Sequence, residues 1–271
     1  MSMPTLNGKP LDLNRYRAFH RVRIARTLQA LRDSGARRVI ELGGHPWAFT
    51  AELLRAPDLA LAATVSAEEV SPWPDAFPPT RREYRMALED GGTHVFPNYS
   101  ANLERSLFDV GEPADAVVAC EIVEHLLRAP HVMMLNINRW LPPGGKLLIT
   151  TPNGAQFSNF LRVKSHSPGY RAQIYERHHH VYTLDALVDL VDCCGFTMTR
   201  AEYWDPYPRT GLPRLYAPLA ALPLRYLHAK FRHTLFVLAE KRENLSELVR
   251  KPRVLVGGGW EHLREAPVPP R

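Results

Sequence analysis

The sequence predicts an α/β protein built on a doubly wound, mostly parallel sheet of seven strands. Short apolar runs alternate with helix-like stripes from residue 13 to residue 241, the pattern of strand–helix–strand units joined by right-handed crossovers. One run, "ADAVVACE" (114–121), is apolar on both faces, as a central parallel strand should be. Another, "RVI", passes straight into the glycine turn of "ELGG" (41–44) and then a helix. In such sheets ligands sit beyond the carboxyl ends of the strands, so strand ends are where chemistry is sought.

Taken in order, residues 13–34 read as an amphipathic helix with Phe19, Val22, Ile24, Leu28 and Leu31 along its apolar stripe, ended by Gly35. "RRVIEL" is strand one, and "HPWAFTAELLR" a helix with Pro46 in its first turn. "LALAATV" is strand two. A proline-rich loop (71–80) leads to a charged helix, "RREYRMALED", closed by Gly91 and Gly92. "THVFPNY" is strand three and "ADAVVACE" strand four. A helix over 129–140 places Met133, Ile137 and Trp140 on one side, and "KLLITT" is strand five. After a polar insertion (154–180), "TLDALVDLVDCCGF" forms a helix capped by Thr183, with Leu184, Leu187, Val188 and Val191 inward and Gly195 as its stop. "TMTRAEYW" and "HTLFVLAEK" are strands six and seven. The predicted layout is an N-terminal helical extension (1–35), a main domain (36–241) with insertions at 154–180 and 205–232, and a polar, Pro-rich, partly disordered tail (242–271).

Bulk properties narrow the function. The 271 residues are 45% hydrophobic and 23% charged, the balance of a soluble globular chain. No apolar run approaches the roughly 20 residues of a membrane span, and the N-terminus lacks the apolar core of a secretory signal. Three cysteines show neither metal-ligand spacing nor a disulfide plan, so a cytoplasmic setting is expected. The net charge of +6 comes from dispersed arginines; without a basic block interleaved with aromatics it does not point to nucleic acid. Residues 205–232, rich in Leu, Tyr and basic side chains, form a lid or oligomer contact, or a peripheral membrane contact that their prolines disfavour.

Three strand ends are chemically unusual. The first carries Glu41, Gly43 and Gly44; the fourth packs Glu121, Glu124 and His125 into one turn; the fifth gives "TTPN". The stretches "DAVVACEIVEHL" (115–126), "LPPGG" (141–145), "TPN" (151–153) and "HHHVYTLDAL…GF" (178–196) stand in register over about 36–241. This set resembles the class I S-adenosylmethionine-dependent methyltransferases, in the branch whose hallmarks read D-x-V-x-x-x-E-V-x-E-H-L, L-x-P-G-G, T-P-N and H-x-x-x-Y-T. The resemblance implies the Rossmann-like methyltransferase fold and S-adenosylmethionine as cofactor. Gly43 and Gly44 would let the backbone approach its methionine part, with Glu41 on the ammonium group. An acid after strand two normally holds the ribose; here Ser66 stands there, with Glu68 just beyond. Asn102 matches the polar residue that meets the adenine, or is a turn asparagine. Glu121 would join the cofactor site, and Glu124, His125 and His178 the reacting centre, with a histidine as general base.

The implied reaction is O-methylation of a small-molecule or glycan intermediate. Two other readings stand beside it. Glu121, Glu124, His125 and His178 resemble the metal site of small-RNA 2′-O-methyltransferases, where two Glu and two His hold a divalent ion. The same stretch also resembles metal-free members, so the ion is the alternative rather than the expectation. A non-catalytic binding protein is the third, favoured by Ser66 and by the altered first turn. There His45 and Trp47 take later glycine positions, so the turn must bow away from the cofactor or lay Pro46 and Trp47 against it.

Overall fold

Strand alternation sets two cores on one sheet. Val39 and Ile40 are adjacent in β3 (Arg38–Leu42) and both fully buried, but they belong to different apolar clusters, one on each face. The computed structural model describes residues 3–66, 79–105, 107–126, 129–156, 179–205 and 229–248. Among them the chain forms β1 (Thr5–Leu6), β2 (Lys9–Pro10), α1 (Asn14–Asp33), β3, α2 (Ala48–Arg55), β4 (Ala60–Ser66), β5 (Thr80–Ala87), β6 (Thr93–Ser100) and β7 (Ala116–Cys120). It continues with α3 (Pro130–Trp140), β8 (Lys146–Pro152), α4 (Leu184–Cys193), β9 (Phe196–Trp204) and β10 (Thr234–Lys241). Helices α1 and α2 cover the face carrying Val39, Val118 and Leu148; α3 and α4 cover that carrying Ile40, Val117 and Ile149.

All seven anticipated strands are present and adjacent, in the order β6-β4-β3-β7-β8-β10-β9. The first five run parallel, and β10 inserts antiparallel to both β8 and β9. The seven-stranded, mostly parallel expectation is nevertheless corrected: the sheet has ten strands among the described residues and is mixed, because β5, β1 and β2 add an antiparallel edge to β6. The segment expected as the charged helix "RREYRMALED" is mostly β5. Its residues form good helices in isolation, but Tyr84 and Met86 alternate inward and the chain pairs with all of β6, so tertiary pairing overrides propensity.

Helix α1 forms as expected with a rotated face. Phe19 and Val22 are 51% and 38% exposed, whereas Arg23 is buried at 4%. Helix α2 starts at Ala48, so Pro46 precedes it, and Trp47 leads in with φ 72°. In α4, Leu190 rather than Val188 turns fully inward, and Ala186 N–H donates to Thr183 Oγ1 at 3.3 Å as an N-cap. Thr183→Ala is expected to cost about 1 kcal/mol, read as a lower urea midpoint; an unchanged midpoint would remove the cap from the account. Beyond β10, residues 243–248 dock rather than stray. Asn138 Nδ2 donates to Cys194 O (3.0 Å) and Glu243 O (2.9 Å), and its Oδ1 accepts from Leu245 N–H (3.0 Å). The rest of the tail, and most of the insertions at 154–180 and 205–232, lie outside the described residues. Among the described residues no helix is long and apolar enough to cross a membrane.

Candidate active site

The glycine turn follows β3. Gly43 N–H donates to Val65 O at 2.8 Å, tying the turn to β4. Gly43 has φ 70°, and a Cβ there would lie 1.9 Å from Ile122 Cδ1. Both the left-handed backbone and the close side chain demand glycine. Gly44 is glycine for another reason: a Cβ would meet the Trp47 ring at 2.5 Å. The Trp47 side chain points inward. It turns into the α1/α2-side core, 7% exposed, with ring centroids 5.5 Å from Tyr84 and 6.5 Å from Phe96. The turn thus rests on an aromatic plug, and His45 is left exposed.

Glu41, at 4% exposure, accepts a hydrogen bond from Thr50 Oγ1 of α2 at 2.6 Å. Burial pushes its carboxyl pKa up to about 8, with the Thr50 hydroxyl opposing the shift. At the next strand ends, Thr64 and Ser66 hydroxyls both donate to Asn98 Oδ1 (2.8 and 3.1 Å), so Ser66 is bound to its neighbouring strand. Ser100 Oγ, closing β6, is buried with no hydrogen-bond partner among the described residues. Asn102 Oδ1 accepts from Glu104 N–H at 3.0 Å, the geometry of a turn asparagine. Glu68 lies outside the described residues.

Beyond β7 the two glutamates part. Thr150 and Thr151 are consecutive in β8 and so face opposite sides of the sheet. Thr150 Oγ1 donates to Glu121 Oε1 at 2.9 Å, and Thr151 Oγ1 to Glu124 Oε2 at 2.9 Å. Glu121, at φ 56°, also meets Arg23 Nη1 of α1 at 3.2 Å. Arg23 was missing from the sequence-based site; nothing marks one buried arginine among 34 Lys and Arg residues. Glu124 is 1% exposed, and burial together with the Glu121 charge holds its carboxyl well above the usual range. Among the described residues its Oε1 makes no hydrogen bond, and it lies 3.8 Å from His125 Nε2. The histidine segment closes over the same turn: His179 and His180 N–H both donate to Glu124 O, at 2.8 and 3.1 Å. His180 and Tyr182 are buried, whereas His178 lies outside the described residues. Among the described residues no group of three or more His, Cys, Asp or Glu side chains is placed to hold a metal ion.

A family model described as a methyltransferase domain matches residues 15–201. The chain belongs to this methyltransferase family. Its activity is that of an S-adenosylmethionine-dependent methyltransferase. No curated protein matches the sequence. Among solved structures it resembles a SAM-dependent methyltransferase, possible histamine N-methyltransferase, of Thermotoga maritima (TM-score 0.50, 15% identity, covering 85% of this chain and 95% of that one). It also resembles phosphoethanolamine N-methyltransferase 2 of Haemonchus contortus in complex with S-adenosyl-L-methionine (TM-score 0.50, 14% identity, 81% and 53% covered). A third is a putative sarcosine dimethylglycine methyltransferase of Galdieria sulphuraria (TM-score 0.50, 13% identity, 81% and 85% covered). At these identities the likeness extends to the fold.

The strand-end residues suit the cofactor's chemistry. A buried acid beside a glycine turn, with a neutral hydroxyl as its hydrogen-bond donor, fits an ammonium group. Ser100 Oγ, closing β6 and unpartnered among the described residues, fits a polar group brought by a ligand.

Proposed function

We propose that this methyltransferase is O-directed and acts on a small-molecule or glycan intermediate, with Glu124 and His125 at the reacting centre. The carrying observation is the pair itself. A buried carboxyl group, fixed through Oε2 by Thr151, presents an Oε1 that bonds nothing else among the described residues 3.8 Å from an imidazole on the exposed side of the turn. A small rotation of the exposed imidazole would bring the two within hydrogen-bond distance, and the acid would then orient the base. His125 would accept the proton of the acceptor hydroxyl; the positive charge so formed would favour ionisation of the Glu124 carboxyl, which would then steady the imidazolium. When bound, S-adenosylmethionine supplies the methyl group from its sulfonium. Gly43, Gly44 and Glu41 would hold its methionine part, Ser66 with Glu68 its ribose, and Asn102 its adenine. Positioning and exclusion of water then account for most of the rate.

The metal-dependent RNA reading needs Glu121 and Glu124 to converge on one ion. Their anchoring through Thr150 and Thr151 to opposite faces of β8, and the Arg23 guanidinium on Glu121, speak against it. The test begins with calorimetric titration of S-adenosylhomocysteine; no binding at millimolar ligand would end the enzyme reading. An acceptor screen with labelled cofactor follows. With the acceptor so found, His125→Ala is expected to lower kcat by 100-fold or more (about the worth of a general base) while S-adenosylhomocysteine affinity stays unchanged. Turnover should survive chelator. Full activity in His125→Ala would remove the base, and chelator-sensitive turnover would restore the metal.

A further inference from the structure

Arg23 is a cation in an expensive place. It sits midway along α1, 4% exposed, with Nη1 3.2 Å from Glu121 Oε1 and Nη2 donating to Tyr16 OH at 2.8 Å. Charged side chains are rarely so buried, and desolvation offsets much of what the pairing returns. Its partner Glu121 holds φ 56°, a left-handed conformation that non-glycine residues seldom adopt and that clusters at functional sites. Docking of α1 does not require this: Ile24, Leu28 and Leu31 already bury its apolar face.

The place is specific. Ala119 pairs with Leu42, the last residue of β3, so the chain leaves β7 at Glu121 beside the start of the glycine turn. Ile122, the next residue, packs against Gly43. The Arg23–Glu121 pair therefore stands at the glycine turn, where the cofactor's methionine end is expected. That end carries an ammonium and a carboxylate. Glu41, buried beneath the turn against Thr50 of α2, suits the ammonium; the carboxylate needs a cation, and a planar guanidinium is the group best shaped for it.

We propose that Arg23, held in place by Glu121 and Tyr16, binds the carboxylate of the cofactor's methionine end. The first helix is then part of the cofactor site, and Glu121 acts there through Arg23 as a positioning residue. This rests on the cofactor reading above.

Two ligands separate the charge contact from the rest of the pocket. S-adenosylhomocysteine carries the amino-acid end, whereas 5′-methylthioadenosine shares the nucleoside and sulfur and lacks it. In calorimetric titrations of the full chain, Arg23→Gln is expected to weaken S-adenosylhomocysteine at least tenfold and to leave 5′-methylthioadenosine within twofold of the native value. Retained methylthioadenosine binding shows that the variant is folded around the nucleoside. Arg23→Lys, a point charge without the fork, should fall between. The proposal is overturned if Arg23→Gln binds S-adenosylhomocysteine within twofold of native, or if both ligands weaken by the same factor. A native protein that binds no S-adenosylhomocysteine sinks the cofactor reading itself, and this inference with it.

Discussion

Gly43→Val is expected to abolish S-adenosylhomocysteine binding, leaving no heat in a titration that saturates the native protein. Two costs act together. A valine at φ 70° occupies backbone space that β-branched residues avoid, at about 1–3 kcal/mol. Its Cβ would also stand 1.9 Å from Ile122 Cδ1 and 2.9 Å from Cγ1, so Ile122 must leave or the turn must move. Moving the turn breaks the Gly43 N–H bond to Val65 O that joins the ends of β3 and β4. Gly35 supplies the control. It shares a positive φ of 79°, but a Cβ there meets nothing within 4 Å. Gly35→Val should therefore lower stability through backbone strain and leave ligand affinity unchanged. Combining Gly43→Ala with Ile122→Ala should recover part of the binding, since it relieves the collision and keeps the strain. Native affinity in Gly43→Val would refute the placement of the cofactor on this turn.

What the sequence made legible, and what it hid, follows from how local each signal is. The inner strands of the central array, such as β7 and β8, are apolar because both faces are covered, and that pattern survives in one dimension: Val117 and Val118, or Leu147 and Leu148, point to opposite cores. β5 has no such signature. Four of its eight residues are charged and most are exposed, and only pairing with β6 decides its state. The β1–β2 hairpin was readable in principle, since Asn7-Gly8, at φ 49° and 81°, is the dipeptide that a two-residue hairpin turn prefers. At the site, the glutamates and histidines announce themselves by spacing. Their division between the two faces of the sheet depends on Thr150 and Thr151 of another strand and could not be read from their own turn. Trp47 misleads for the same reason. It stands at a cofactor position in sequence, and its partners Tyr84 and Phe96 come from strands 30 or more residues away.

Glu41 should make both stability and cofactor affinity depend on pH, in opposite senses. Burial raises its pKa from 4.5 to about 8 in the folded, ligand-free protein. Between those values the folded chain holds a proton that the unfolded chain has lost, so stability falls as pH rises through this window. Each unit of separation is worth about 1.4 kcal/mol, and the whole is on the order of a few kcal/mol. Glu41→Gln, which cannot ionise, should lose this component of the decline and unfold at higher temperature than native near pH 8. An ammonium brought beside Glu41 reverses the preference, because it favours the carboxylate. Binding at pH 7 should then expel a proton, and affinity should climb with pH until about 8. Titrations of S-adenosylhomocysteine in two buffers of different ionisation enthalpy measure that proton directly. The native protein should release up to one, and Glu41→Gln measurably fewer. Equal heats in the two buffers would mean that Glu41 does not meet the ammonium. The acid near the end of β3 would then serve only to tie the turn to Thr50 of α2, and the cofactor's charged end would depend on Arg23 alone.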